Sequence, residues 1–142
     1  MQDHFFTIGS ETSSEVKDRG SRFIGIAVPI VSTDEFKKHL ALIKKTHPKA
    51  THHCFAYRLQ ADRSVFRVND DGEPSGSAGK PILGQIDSRN LTNTLVVVVR
   101  YFGGTLLGVP GLIQAYRMAA AACLDGNTFI RKNVEIAYLL EF

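Results

Sequence analysis

The sequence predicts an α+β fold, a two-layer α/β sandwich in which helices pack on one face of a mixed or antiparallel sheet of about five strands. Three observations lead there. Segments with apolar residues at every second position recur along the chain, other stretches carry a helical stripe, and strands follow one another directly at several points instead of alternating strictly with helices.

The first predicted strand runs from Phe23 to Ile30, where Ile24, Ile26, Val28 and Ile30 recur at period two. Pro29 sets its end near an edge or exit. Ser32, Thr33 and Asp34 supply N-cap groups, and Phe36, Leu40 and Ile43 then form a helical stripe that ends around Thr46, before His47-Pro48. A second strand, His52 to Gln60, and a third, Ser64 to Val68 with Phe66 and Val68 inward, are joined by a turn at Ala61-Asp62-Arg63 as a hairpin. A short helix begins near Gly76-Ser77 and ends before Asn90. Leu95 to Val99 is aliphatic on both faces and rich in β-branched residues, as a central strand requires, and it continues outward through Arg100, Tyr101 and Phe102. Leu112 to Leu124, rich in Ala and Leu, is the last helix, stopped at Asp125-Gly126-Asn127. A closing strand is expected from Asn133 to Phe142.

At 142 residues and 44% hydrophobic content, residues 1–142 suit a single domain with a real core. A net charge of +3 and a pI near 9.0 permit nucleic-acid or acidic-protein partners without demanding them. The two cysteines, Cys54 and Cys123, form no Cys-x-x-Cys pair, so neither a zinc ribbon nor a redox pair is suggested and a reduced cytoplasmic chain is expected. The start of the chain lacks a secretory pattern, and the run Leu95 to Val99 is far below the roughly 20 residues of a membrane span.

The most informative stretch is Asn69 to Lys80, which gathers three carboxylates, three glycines, two hydroxyls and a lysine into twelve residues. It is too polar for a core strand, and its Asp-Gly and Glu-Pro steps suit turns that present polar atoms. Asp70, Asp71 and Glu73 are oxygen ligands of the kind hard cations take, but their spacing is not that of an EF-hand loop. The glycine-rich segment Gly103 to Gly111 lies at a helix N-terminus, where an anion would be favoured, yet it matches neither GxGxxG nor GxxxxGK[ST]. Its glycines also suit a sharp turn packed against the Asp70 to Lys80 loop. His52 and His53 point to opposite faces of a strand and cannot chelate together, and His53 fails as a base for Cys54 for the same reason. Neither Ser75 nor Ser77 sits in a Gly-x-Ser-x-Gly elbow. No catalytic residue, metal or cofactor is expected. Lys37, Lys38, Lys44 and Lys45 fall within an arc of roughly 120° on their helix and make a basic flank.

Taken in order, His52-His53-Cys54-Phe55-Ala56-Tyr57, Asp70 to Pro81, Val97 to Gly108 and Gly111 to Tyr116 closely resemble the signature of the IMPACT/YigZ family, and the resemblance runs from Ser21-Arg22-Phe23 to about Tyr116. Two positions depart from it: Pro110 stands where glycine is usual, which restricts φ in that loop, and Arg19-Gly20 replaces a more usual lysine nearby. The resemblance implies a fold similar to the second domain of ribosomal protein S5. It also implies that bacterial members continue into a ferredoxin-like domain, so residues 1–142 are expected to be an IMPACT-type domain without it. Eukaryotic relatives are translational regulators of the amino-acid-starvation response that compete for the large activator of an initiation-factor kinase and carry an extra N-terminal domain. The resemblance carries over no catalytic residue.

The expected function is therefore a non-enzymatic binding module in translation-linked regulation, contacting RNA, the ribosome or a translation-associated protein. Its expected surface is built from Asp70, Asp71, Glu73, Ser75, Ser77, Lys80, Arg100, Tyr101, Gly103 and Gly104, with the lysine flank as an accessory. The alternatives are a nucleotide- or metal-binding enzyme with its cleft between the Asp70 to Lys80 loop and the Gly103 to Gly111 turn, and a protein–protein adaptor using an exposed sheet face bearing Phe55, Tyr57 and Leu59.

Overall fold

The aliphatic run expected at the centre of the sheet is β6 (Thr94–Tyr101), buried at every position but the last in a computed structural model that describes residues 3–134. Two residue faces, both apolar, suit a strand covered on both sides. Around it the chain forms a five-stranded antiparallel sheet in the order β2 (Thr12–Asp18), β3 (Ser21–Pro29), β6, β4 (His52–Leu59), β5 (Val65–Asn69). A separate two-stranded ribbon pairs β1 (His4–Ile8) with β7 (Phe129–Asn133). The α+β class and the antiparallel sheet agree with the sequence reading.

The two N-terminal strands were not expected. The β2 segment offers only Val16 as an apolar residue, so its alternation is carried by Thr12, Ser14 and Asp18, which a hydrophobicity pattern does not register. The closing strand expected from Asn133 to Phe142 lies, apart from Asn133 and Val134, outside the described residues.

The helices divide between the two sheet faces, a correction to the expectation of one covered face. α2 (Gly79–Ser88) and α3 (Gly108–Asp125) pack on the face that carries Phe23, Ala27, Cys54, Ala56, Val96 and Val98. α1 (Thr33–Thr46) lays Phe36 and Ile43 on the opposite face, against Phe55, Tyr57, Leu59, Leu95 and Val97. Strand alternation explains the division: the α2/α3 face is built largely of small residues that admit two helices side by side, and the other face of large ones that need a single cover. Gly25 of β3 shows how close α3 comes, since a Cβ there would lie 2.5 Å from the Ala119 carbonyl. Phe55, Tyr57 and Leu59 are thus buried under α1, which removes the exposed sheet face on which an adaptor reading rested.

Local chemistry accounts for the helix ends. Ser32 caps α1 by accepting from the Glu35 N–H, while the Glu35 carboxylate accepts from the Val31 N–H. The last helix starts at Gly108, four residues before the expected Leu112, because Pro110 falls in its first turn, where a missing N–H costs nothing. Phe66, expected inward, is 55% exposed on the edge strand β5 and lies under the Arg58 guanidinium, 4.8 Å from its ring centre. Among the described residues no helix is long and apolar enough to cross a membrane.

Candidate functional site

The Asn69 to Lys80 loop is organised around Asp70, whose side chain turns inward to the loop's own backbone. Its Oδ1 accepts from the N–H groups of Ala78 and Gly79 at 3.1 and 2.8 Å, and its Oδ2 accepts from the Gly76 N–H at 2.9 Å. Helix α2 has Ala78 as its N-cap and no side-chain cap of its own, so Asp70 performs that task from eight residues upstream and sets a negative charge at the helix N-terminus. Asp71, at φ +43°, accepts from the His53 N–H at 2.6 Å, and its carbonyl accepts from His52 Nδ1–H at 2.7 Å. Ser77 is buried and donates to the Pro74 carbonyl at 2.5 Å, whereas Ser75 and Lys80 are exposed.

Glu73 and Arg100 meet as a buried ion pair. Arg100 Nη1 donates to both Glu73 oxygens at 3.0 and 2.8 Å, the Tyr116 hydroxyl donates to Glu73 Oε2 at 2.5 Å, and Arg100 Nη2 donates to Ser21 Oγ at 3.2 Å. The guanidinium lies between the rings of Phe23 and Phe102, 5.4 and 5.5 Å from their centres. His52 Nε2 stands 3.4 Å from Glu73 Oε1. One loop, two strands and α3 are thus tied at a single point.

Beside this pair a cavity of about 320 Å³ opens between the loop and the start of α3. Its polar floor is His52, Glu73 and Arg100, and its walls include Pro74, Phe102, Leu106 and Leu112. Cys54 lies behind the floor, its thiol 3.1 Å from the Asp70 carbonyl. Burial, with the nearby Glu73, Asp71 and Asp70 adding to it, pushes this thiol far above the ordinary range, and burial with Cys54 and Glu73 does the same to the Tyr116 hydroxyl. Burial also pushes the Cys123 thiol up to about 12. Neither thiol is a ready nucleophile at neutral pH.

The structure divides the predicted surface. Arg100 and Tyr101 are neighbours on β6 and point to opposite faces: Tyr101 turns toward α1, with its hydroxyl 2.6 Å from His47 Nδ1. Gly103 packs on the backbone of Gly20 and Ser21 in the β2–β3 turn, not on the Asp70 to Lys80 loop, and a Cβ at this position would overlap them. Gly104 is exposed at φ +87°. On the α1 side a second concavity of about 320 Å³ is lined by Lys37 and Lys44 of α1 with Arg67 and Asn69 of β5. Lys38 and Lys45 are exposed and do not line it. The Arg67 guanidinium sits 5.4 Å from the Phe55 ring centre and 5.8 Å from that of Phe36, which holds it over the groove.

Sequence reasoning passed over Arg67 and the cavity-lining Phe102, Leu106 and Leu112. The alternation of β5 could have found Arg67, which projects to the side opposite Val68. Nothing local marks the cavity wall, since it forms only when the loop and α3 come together.

Residues 19–124 match the family model of the Impact N-terminal domain. The chain is 41% identical to the IMPACT family member YvyE of Bacillus subtilis over 125 residues, covering 88% of this chain and 58% of that protein. A crystal structure of a hypothetical protein superposes with a TM-score of 0.90 at 32% identity, over 94% of this chain and 66% of that one. The two-domain translational regulator Yih1 superposes with a TM-score of 0.50 at 28% identity, over 86% of this chain and 47% of that one. The chain thus spans less than three fifths of the length of YvyE and about half that of Yih1. The match covers most of the sequence and contains both the Asp70 to Lys80 loop and the start of α3, and on it the chain belongs to the IMPACT family.

Proposed function

We propose that this chain is a binding module without a catalytic role in translation-linked regulation, and that it contacts RNA through the groove between α1 and β5. The observation that carries the proposal is the convergence of Lys37 and Lys44, one helical face apart by seven residues, with Arg67 from the facing strand. Three cations around one concavity give a phosphate backbone a track, and Arg67 is positioned by two aromatic rings instead of waving in solvent. The likeness to the translational regulator Yih1 supports the setting. A binding reading is favoured over an enzymatic one by how the loop's charges are used: Asp70 is taken by three backbone N–H groups and Glu73 by Arg100 and Tyr116, which leaves neither as a free base beside an activated nucleophile.

Titration with a labelled single-stranded RNA at roughly 50 and roughly 200 mM salt tests this, because phosphate contacts release counterions and weaken steeply with salt. Replacing Lys37, Lys44 and Arg67 together by alanine should reduce the logarithmic salt slope by about 2, at about 0.7 for each phosphate no longer neutralised. Lys80→Ala, on the face of α2, should leave binding unchanged. Absence of binding at the lower salt, or indifference to the triple substitution in a folded protein, would refute the RNA contact.

A further inference from the structure

The β4–β5 hairpin carries an aromatic ring that the fold does not bury. Phe66 stands on β5, an outer strand of the five-stranded sheet, and is 55% exposed, although Val68, two residues further along the same face, packs against the core. Its cross-strand partner is Arg58, whose guanidinium covers one face of the ring at 4.8 Å from the ring centre. Arg58 is itself fixed. Its Nε and Nη2 donate to the two Asp87 oxygens at 2.8 and 3.1 Å, and its Nη1 donates to the Arg63 carbonyl at 2.8 Å. Asp87 belongs to α2, so a helix, an inner strand and the edge strand together hold a flat ring with a cation behind it and its other face toward solvent.

A single exposed phenylalanine is common on a protein surface and by itself marks nothing. This one is followed by Arg67, and strand alternation sends the two side chains to opposite sides of β5. Phe66 lies on the α2 side, and Arg67 lies over the groove that Lys37 and Lys44 of α1 also line. Among the described residues no carboxylate lines that groove. Because β5 ends the sheet, no further strand separates the two sides. Consecutive Cα atoms are about 3.8 Å apart, so a flexible nucleic-acid strand with a phosphate at Arg67 can turn a neighbouring base around the edge onto Phe66.

We infer that Phe66 is a base-stacking platform, a second subsite of the RNA contact proposed above and resting on that reading, and that it takes an unpaired nucleotide. A base on the open face of the ring completes a stack backed by Arg58, and every base satisfies it because each has a π-face. The subsite thus selects for single-strandedness and not for sequence. In a duplex the bases are already paired and stacked on one another, and they present no free face to the ring. A peptide strand added to the β5 edge would also meet Phe66, but the cations one residue away favour a polyanion.

The test compares binding of a labelled oligouridine, an abasic ribose-phosphate oligomer of the same length, and the duplex of oligouridine with oligoadenosine to the full chain and its variants, at roughly 50 and roughly 200 mM salt. Phe66→Ala should weaken oligouridine by about fivefold or more. The logarithmic salt slope should stay unchanged, since no phosphate contact is lost, whereas the triple alanine variant of the groove lowers that slope. Phe66→Leu should behave as alanine does and Phe66→Tyr should bind normally, which separates stacking from apolar bulk and from damage to the hairpin. The abasic oligomer should bind the unmodified chain about fivefold or more weakly than oligouridine does. Neither it nor the duplex should distinguish the unmodified chain from Phe66→Ala. The chain has no tryptophan, so Phe66→Trp places a single indole at the site, and its emission should be quenched by oligouridine and not by the abasic oligomer. Groove-dependent binding of oligouridine that is indifferent to Phe66→Ala, equal binding of the abasic oligomer, or an unquenched indole would overturn the stacking site and leave the groove contact standing. No RNA binding by the unmodified chain would overturn both.

Discussion

Removing the Glu73 carboxylate would leave the Arg100 guanidinium almost wholly buried with no counter-charge and would strip the Tyr116 hydroxyl of its acceptor. Glu73→Ala is therefore expected to cost about 3–5 kcal/mol in urea unfolding, whereas the double substitution Glu73→Leu with Arg100→Met should recover most of that loss. A single-substitution cost below about 1 kcal/mol would mean that water reaches the pair. That these residues matter was legible in the sequence, as both lie in the family-like motifs. Their mutual neutralisation was not, because they are 27 residues apart and meet only through the sheet. The alternation of β6 did contain the hint, since Arg100 shares the face of Val96 and Val98 and therefore points toward α2 and α3.

At the level of elements, the end of α1 is a pH-sensitive joint. His47 caps the helix with its N–H to the Ile43 carbonyl, its own carbonyl accepts from His53 Nε2 at 2.8 Å, and its ring meets Tyr101 of β6. Burial first, then the nearby positive charge of His53 and Arg22, holds the His47 ring below the ordinary histidine value of about 6.5. The folded state thus binds this proton less readily than the unfolded chain, so the contribution to stability is complete above about pH 6.5 and is lost as pH falls through the lower folded value. The thermal midpoint should drop between about pH 7 and about pH 5, and His47→Asn should flatten that slope. An unchanged slope in the variant would show that other groups govern it. The boundaries of α1 and the hairpin of β4 and β5 were readable from caps, stripes and turns. The strand β2 was not, because Val16 is the one apolar residue among its inward positions, the others being Thr12, Ser14 and Asp18.

Across the whole molecule, β6 is the wall shared by two cores, with Val96 and Val98 facing α2 and α3 and Leu95, Val97 and Val99 facing α1. A substitution in one core should therefore be felt in the other. Phe36→Ala should cost about 3–5 kcal/mol, and the methyl signals of Ile43 on its own side and Ile82 on the far side should vanish at one shared urea concentration. Earlier loss of Ile43 alone would mean that α1 unfolds as a separate unit. The sequence by itself determined the α+β class, the central strand, the helix stripes and the unusual loop, because periodicity and turn chemistry are local properties that neighbouring residues record. Only the tertiary structure decided which helix covers which face, that Asp70 and Glu73 of the loop are satisfied within the fold, and that Lys37, Lys44 and Arg67 gather in one groove while Phe102, Leu106 and Arg100 gather around another cavity. Those are encounters between residues far apart in the chain. Their partners are set by strand order and helix packing, which no local window of sequence contains.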